Sequence, residues 1–125
     1  MYSVLDGDTF RFRKEDGELQ SVRLLGVDAP ESSLTRYRTI ECFGKEAKTY
    51  LTNLLKNQFV RLEYDPTQQQ VDSYGRLIAY VYLGETLVNQ QIIADGYAKE
   101  YTYKTPYEKQ STFQSTETQA KAKKI

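Results

Sequence analysis

Two acids follow a basic residue within one short stretch of the chain, 22–31, which reads V-R-L-L-G-V-D-A-P-E. Asp28 and Glu31 stand at the end of a predicted strand. Pro30 fixes its own φ angle and pushes the residue before it towards an extended conformation, so the strand exit is stiff. Arg23 lies earlier in the same strand, and its planar guanidinium suits a phosphate. Two carboxylates and this cation together indicate a metal-assisted phosphodiester site.

A second acidic element, D-G-D-T at 6–9, precedes this stretch. Its glycine lets the chain turn at a strand junction, and Asp8 then projects beside Thr9. Asp-Gly pairs are also common in ordinary turns, so the motif is weak when taken alone. Together with Asp28 and the carbonyl of Ala29 it makes a set of hard oxygen ligands, which suits Ca²⁺. Because few protein oxygens are offered, we expect a dissociation constant of roughly 10⁻⁴ M or weaker.

A second arginine, Arg76, opens the strongest predicted strand, directly after the turn residues D-S-Y-G at 72–75. On its own it could simply be a solvated strand end. Together with Arg23 it would provide two planar forks that hold one phosphate from both sides. Lysine in either place would keep the charge and lose the fork.

The composition excludes several kinds of site. The chain has no histidine, which rules out a histidine base, a Ser-His-Asp triad and histidine-containing zinc sites. Its 17 basic and 17 acidic side chains cancel, so binding of a polyanion must come from a local patch. Four basic residues could form such a patch as a basic rim of the site: Arg36, Arg38, Lys45 and Lys48. They could equally be ordinary solvated charges. The single cysteine, Cys42, cannot form an internal disulfide, and we expect an inert thiol.

Hydrophobic patterns predict five strands and three helices in one domain spanning 1–125. The predicted strands cover 4–5, 9–13, 18–25, 59–64 and 76–83, with a turn at Asp16-Gly17 and a surface loop over 31–40. The predicted helices cover 41–56, 87–95 and 108–124. The predicted fold class is α+β, mainly β. The layout matches a five-stranded OB-type Greek-key barrel with a helix between the third and fourth strands.

The motifs taken together resemble the thermonuclease (staphylococcal nuclease-like) family. The resemblance runs from about Val4 to Lys124, with the motifs in family order. They are D-G-D-T (6–9), V-R-L-L-G-V-D-A-P-E (22–31), F-G-K-E-A (43–47), D-S-Y-G-R (72–76), L-V-N-Q-Q-I-I-A-D-G-Y-A (87–98) and E-T-Q-A-K (117–121).

This resemblance implies an OB-fold nuclease that cuts single-stranded or frayed DNA and RNA in a calcium-dependent reaction. In that family the aspartates matching Asp8 and Asp28 bind calcium, and the residue matching Ala29 contributes its carbonyl. The glutamate matching Glu31 activates water. Since the chain has no histidine, a carboxylate base is also what the composition requires. Glu31 could instead order the adjacent loop through hydrogen bonds.

The resemblance also implies how the substrate is held. The arginines matching Arg23 and Arg76 contact the phosphate, and tyrosines matching Tyr74, Tyr101 and Tyr103 line the nucleotide pocket. Three departures from the family concern the predicted site residues or their neighbours. Ala29 stands where threonine is usual, a serine at 73 replaces a lysine that helps to position a nucleotide, and the stretch 97–103 is one residue shorter.

Other functions remain open at this point. A catalytically silent module that binds nucleic acid or protein would share the fold, and so would a calcium-responsive binder without turnover. The presence of all three acids and both arginines favours the enzyme. No apolar run approaches membrane-spanning length, and the first predicted strand begins almost at Met1, so we expect no signal peptide and no membrane contact. We expect a monomer that acts outside the cell, where free calcium is plentiful.

Overall fold

The computed structural model describes residues 3–29 and 44–123. The predictions for Glu31, for the loop over 31–40 and for Cys42 lie outside these residues. The described part is an α+β fold with a mixed β-sheet and three helices. None of the helices in this part has the length and apolarity that a membrane crossing requires.

The first three strands form an antiparallel meander. They are β1 (Ser3–Asp6), β2 (Thr9–Arg13) and β3 (Leu19–Leu24). The predicted turn joins β2 to β3: Gly17 has a φ of +88°, and the Lys14 N–H donates to the Glu18 carbonyl with an N–O distance of 2.8 Å. Because a positive φ favours glycine, this local signal helps to set the register of the hairpin.

The central strand of the sheet is β6 (Leu77–Leu83), as its apolar pattern on both faces predicts. It runs parallel to β3 on one side and antiparallel to β5 (Arg61–Glu63) on the other. The resulting order is β1-β2-β3-β6-β5. Successive residues Tyr80 and Val81 are both fully buried, so both faces of β6 contribute to the core.

The strand count and the closure of the barrel differ from the prediction. Among residues 3–29 and 44–123, no strand pairing joins the edge strands β1 and β5, so the sheet is open. β5 has only three residues, fewer than the predicted strand over 59–64, and therefore has little edge to pair with. The structure also adds three strands of two residues, too short to produce a hydrophobic alternation. They are β4 (Val27–Asp28), β7 (Thr86–Leu87) and β8 (Lys99–Glu100).

The helices confirm the predicted apolar faces. They are α1 (Gly44–Leu55), α2 (Val88–Ala94) and α3 (Gln110–Ala122). The apolar stripe that the sequence predicts for α1 is fully buried at Ala47, Leu51 and Leu55, and its other two members, Tyr50 and Leu54, are partly buried. In α3, Phe113 and Ala120, the main apolar contacts that the sequence predicts, are buried.

Asn89 fixes α2 against the sheet. Its side chain is completely buried, with Oδ1 accepting the Val81 N–H at 2.8 Å. Its Nδ2 donates to the carbonyls of Leu25 at 2.8 Å and Ala79 at 3.1 Å. A buried amide with its hydrogen bonds satisfied holds one arrangement of its neighbours. Asn89 therefore fixes the end of β3 beside β6, where the chain leaves the sheet towards Asp28.

A buried carboxylate, Asp65, holds the start of α3. Its Oδ2 accepts the Tyr80 hydroxyl at 2.6 Å and the Glu108 N–H at 2.7 Å, and its Oδ1 accepts the Thr67 hydroxyl at 2.6 Å and the Thr67 N–H at 2.8 Å. Burial by itself would raise the pKa of Asp65, but these hydrogen bonds to the charged form hold that pKa below its ordinary value.

Asp65→Asn should lower the free energy of unfolding by about 2–4 kcal/mol at pH 7, because hydrogen bonds to a charged acceptor become weaker or are lost. A depressed carboxyl pKa stabilises the folded state above the ordinary pKa of about 3.9, and this contribution disappears as the pH falls through the folded-state pKa. The difference between wild type and variant should therefore shrink below about pH 4. Urea unfolding of both proteins across the acid range measures this difference in the free energy of unfolding. Asp16→Asn, at an exposed turn position, is the control, and a difference independent of pH would contradict the assignment.

Candidate functional site

The site begins at a glycine that no other residue could replace without movement. Gly7 lies in the turn between β1 and β2. A Cβ atom there would lie 2.7 Å from the Cβ of Ala47 in α1 and 2.8 Å from the Cβ of Ala29. Both distances are far shorter than a carbon–carbon contact allows. The turn is therefore packed tightly between α1 and Ala29, the residue directly after β4. This close packing brings Asp8 to the end of β4.

Asp8 is 8% exposed and joins three parts of the chain. Its Oδ2 accepts the Ala29 N–H at 2.9 Å, and its Oδ1 accepts the Thr9 hydroxyl at 2.9 Å. Its backbone carbonyl accepts the Leu24 N–H at 2.9 Å. The structure thus brings Ala29 to Asp8 through the amide of Ala29. The role expected for its carbonyl remains a prediction.

The guanidinium of Arg23 lies between the two aspartates. Its Nη1 is 3.3 Å from Asp8 Oδ2, and its Nη2 is 3.9 Å from Asp28 Oδ1. Nη1 also donates to the Val27 carbonyl at 2.5 Å, which ties the side chain to β4. The two carboxylates, which are twenty positions apart in the sequence, therefore face one shared positive charge.

A second cation beside Asp28 was missed by sequence reasoning. β4 pairs with β8, which sets Asp28 opposite Lys99, and the Lys99 Nζ lies 4.0 Å from Asp28 Oδ2. The strand that carries Lys99 is two residues long. No periodic pattern could have indicated it.

Arg76 directly precedes β6 and is held by its own loop. Its Nε is 2.6 Å from Asp72 Oδ2, and its backbone N–H donates to Asp72 Oδ1 at 2.9 Å. Burial would raise the pKa of Asp72, but its hydrogen bonds and the charge of Arg76 lower that pKa. Arg76 directly precedes Leu77, the first residue of β6, which pairs with Val22 of β3, and Arg23 follows Val22 on β3. The guanidinium of Arg76 is turned to Asp72, a partner that the sequence analysis did not assign.

The three tyrosines predicted to contact a nucleotide present aromatic surface to solvent. Tyr74 is 83% exposed and Tyr103 is 71% exposed. Tyr101 and Tyr103 are stacked, with ring centroids 6.4 Å apart and 30° between the ring planes. The Tyr101 N–H donates to the Gly26 carbonyl at 2.9 Å, so this pair is attached to the turn that leads to Asp28. Exposed, stacked aromatic rings are suitable platforms for nucleobases.

The described residues include two carboxylates of the kind that Ca²⁺ takes as ligands. Among residues 3–29 and 44–123, no three acidic, cysteine or histidine side chains cluster in a way that could hold a metal ion. Asp8 and Asp28 nevertheless provide two hard oxygen donors that already face a common positive charge. The donor set thus fits a weakly bound Ca²⁺. The third predicted acid, Glu31, lies outside the described residues, as do Arg36 and Arg38 of the predicted basic rim.

Comparison with known proteins agrees with the resemblance carried by the motifs. A family model described as "Staphylococcal nuclease homologue" matches residues 21–125. The chain is 39% identical over 117 residues to a thermonuclease of Staphylococcus hyicus, covering 94% of this chain and 67% of that protein. It is 41% identical over 100 residues to a thermonuclease of Staphylococcus intermedius, covering 80% of this chain and 57% of that protein. It is 30% identical over 123 residues to the endonuclease YncB of Bacillus subtilis, covering 98% of this chain and 57% of that protein.

The bridge by Arg23 should be measurable as coupling between Arg23 and Asp8. We expect a double-mutant cycle of Arg23→Gln and Asp8→Asn, in a buffer with chelator, to give a coupling free energy of about 1–3 kcal/mol. The reason is that the Arg23 side chain is only 20% exposed, so water screens the pair little. Chemical denaturation of the four proteins gives the value.

The control is the pair of Arg61 and Glu63, whose side chains are 3.0 Å apart and mostly exposed. A cycle of Arg61→Gln and Glu63→Gln should give no more than about 0.5 kcal/mol. Equal coupling in the two cycles would mean that Arg23 is a surface charge.

Proposed function

Since the chain belongs to the family of staphylococcal nuclease homologues, we propose that it is a nuclease that hydrolyses phosphodiester bonds of single-stranded or frayed DNA and RNA with the help of calcium. Relatives named as thermonucleases and an endonuclease support the class of reaction. Family membership also implies an OB-type fold. The strand order, with one parallel pair between β3 and β6, is compatible with the partly open barrel of that type.

One observation carries the proposal within the chain itself. Asp8 and Asp28 converge on one positive charge, and that charge belongs to an arginine whose fork suits a phosphate. A purely structural ion pair needs one acid for one base. Here two acids share one arginine that is only 20% exposed, and Lys99, the other cation beside Asp28, is 70% exposed, so water screens its charge and a further cation can take its place.

Calcium would be held by Asp8, Asp28 and the carbonyl of Ala29, with water completing the shell. When bound, it supplies positive charge that polarises a phosphoryl oxygen and stabilises charge in the transition state. Arg23, on β3, and Arg76, directly before the neighbouring strand β6, hold the phosphate. The ion pair of Arg76 with Asp72 keeps the guanidinium ordered before the substrate arrives. A phosphate that then approaches Arg76 competes with Asp72 for it.

Glu31 takes the proton from the attacking water, which approaches phosphorus opposite the leaving oxygen. No histidine is present to serve as base, and a carboxylate at the strand exit follows the ligand Asp28 by three positions. Tyr74, Tyr101 and Tyr103 receive the bases and sugars of the strand. The products carry a 3′-phosphate, the protein is a monomer, and it acts outside the cell, where calcium is abundant.

Incubation with heat-denatured DNA tests the proposed function directly. Degradation should require added Ca²⁺ and should stop when EGTA is added, because the proposed ligands bind the ion weakly and release it readily. Retarded migration of the DNA without cleavage, with or without calcium, would instead support a binding module. The double variant Asp8→Asn with Asp28→Asn, checked for folding by circular dichroism, should be inactive at every calcium concentration.

Glu31→Gln should lower kcat by about 10²–10⁴, because general-base catalysis typically contributes this much. The measurement is a pH profile of kcat/KM with a short single-stranded oligonucleotide. The wild-type rate should rise with pH as the base loses its proton, and the variant should lack this limb. Glu46→Gln, an exposed acid on α1, is the control and should keep the wild-type profile. A Glu31→Gln variant with the full wild-type rate would exclude Glu31 as the base.

A further inference from the structure

The carboxylate of Glu100 lies where the strand beside Asp28 continues into the exposed tyrosines. Glu100 is on β8 and pairs with Val27 of β4. Its Oε2 accepts the Thr102 hydroxyl at 2.7 Å and the Tyr107 hydroxyl at 2.8 Å. One oxygen thus receives two hydroxyl groups from the segment that follows it.

The Tyr107 hydroxyl connects Glu100 to the turn before Asp28. Gly26 in that turn has a φ of +78°, and a Cβ atom there would lie 2.6 Å from a ring carbon of Tyr107. The ring of Tyr107 therefore packs directly on the backbone, and its hydroxyl oxygen is 3.4 Å from the Gly26 carbonyl oxygen. Burial, followed by the hydrogen bond and charge of Glu100, raises the pKa of Tyr107 far above its usual value. The hydroxyl consequently remains a donor at all ordinary pH values.

The Thr102 hydroxyl connects Glu100 to the tyrosine pair. Thr102 lies between Tyr101 and Tyr103, and its Oγ1 also accepts Gln110 Nε2 of α3 at 2.7 Å. Its side chain is thus held inward by Glu100 and by the helix, while its two neighbours project outward and stack. The orientation of the exposed rings depends on this inward anchor.

The backbone alone gives this region little support. The ladder between β4 and β8 consists of two residue pairs, Val27 with Glu100 and Asp28 with Lys99. Two-stranded pairing of this length is not stable by itself. The Glu100 N–H also donates to Glu117 Oε2 of α3 at 2.9 Å, so Glu100 is held on the helix side as well.

We propose that Glu100 is a positioning residue that anchors two parts of the site independently: the carboxylate side, through Tyr107 and the Gly26 turn, and the nucleotide side, through Thr102 and its flanking tyrosines. The proposal rests on the proposed function. Its two branches are chemically separate, because each hydroxyl can be removed without the other. Loss of one branch should therefore affect one kind of binding, and loss of Glu100 should affect both.

The experiment compares four variants with the wild type. Thr102→Val should raise the dissociation constant for a single-stranded oligonucleotide about five- to tenfold and leave the Ca²⁺ dissociation constant within about twofold. Tyr107→Phe should weaken Ca²⁺ binding about five- to tenfold with a smaller change in oligonucleotide binding. Glu100→Ala should show both losses, and Glu100→Gln, whose oxygen can still accept both hydroxyls, should recover most of each. Calorimetry for Ca²⁺ and fluorescence anisotropy for an oligonucleotide in EGTA measure binding without turnover.

Asp65→Asn is the matched control, because Asp65 also accepts a tyrosine and a threonine hydroxyl but anchors Tyr80 and α3 rather than β8. It should lower the stability of the fold and should not change the Ca²⁺ dissociation constant and the oligonucleotide dissociation constant by different factors.

The proposal is overturned if Thr102→Val and Tyr107→Phe each change both dissociation constants alike. It is also overturned if Glu100→Ala changes them no more than Asp65→Asn does. A folded wild type that binds both ligands but cleaves nothing would refute the nuclease and leave the positioning role of Glu100 standing. A wild type that binds neither would refute both. If Glu100→Ala does not fold, the two single-branch variants decide the question.

Discussion

Two carboxylates that face each other in a partly buried site require positive charge between them. Asp8 and Asp28 meet this requirement with the guanidinium of Arg23, which contacts both acids and the backbone of β4. In surroundings of lower dielectric than water, the repulsion of two bare carboxylates would be large. The rest of the proposed site depends on this arrangement, because it holds two negative charges in place for the cation that we propose. It also keeps the proposed phosphate-binding fork next to them.

Close backbone packing brings the acids to this position. Gly7 allows α1 and the strand exit to press on the β1–β2 turn, and Gly26 allows Tyr107 to pack on the turn before β4. A side chain at either glycine would meet carbon or oxygen atoms at distances that no real contact tolerates. Asn89, at the start of α2, adds a third contact, because its side-chain amide donates a hydrogen bond to the carbonyl of Leu25. The site is therefore a product of tight packing on three sides, and its geometry is sensitive to small displacements.

Much of the fold followed from local patterns, and some of the site did not. β6 and α1 are long enough to show a hydrophobic pattern of their own, so their position and buried faces were predictable. β4 and β8 have two residues each and show none, although they carry Asp28 and Glu100. The motif at 72–76 indicated Arg76 but not its ion pair with Asp72, because a turn that bonds its own arginine and an arginine free for phosphate have the same sequence signal.

The sequence by itself determined the residue types that can do chemistry, the glycine turns and the elements with a repeating pattern. These features depend on neighbouring residues and on the intrinsic preferences of the backbone. Only the tertiary structure decided that Asp8, Arg23 and Asp28 meet, and that Glu100 joins the tyrosines to the turn before Asp28. Contacts between residues far apart in the chain arise from how helices and strands pack, and the same motifs on a differently packed sheet would not form a site.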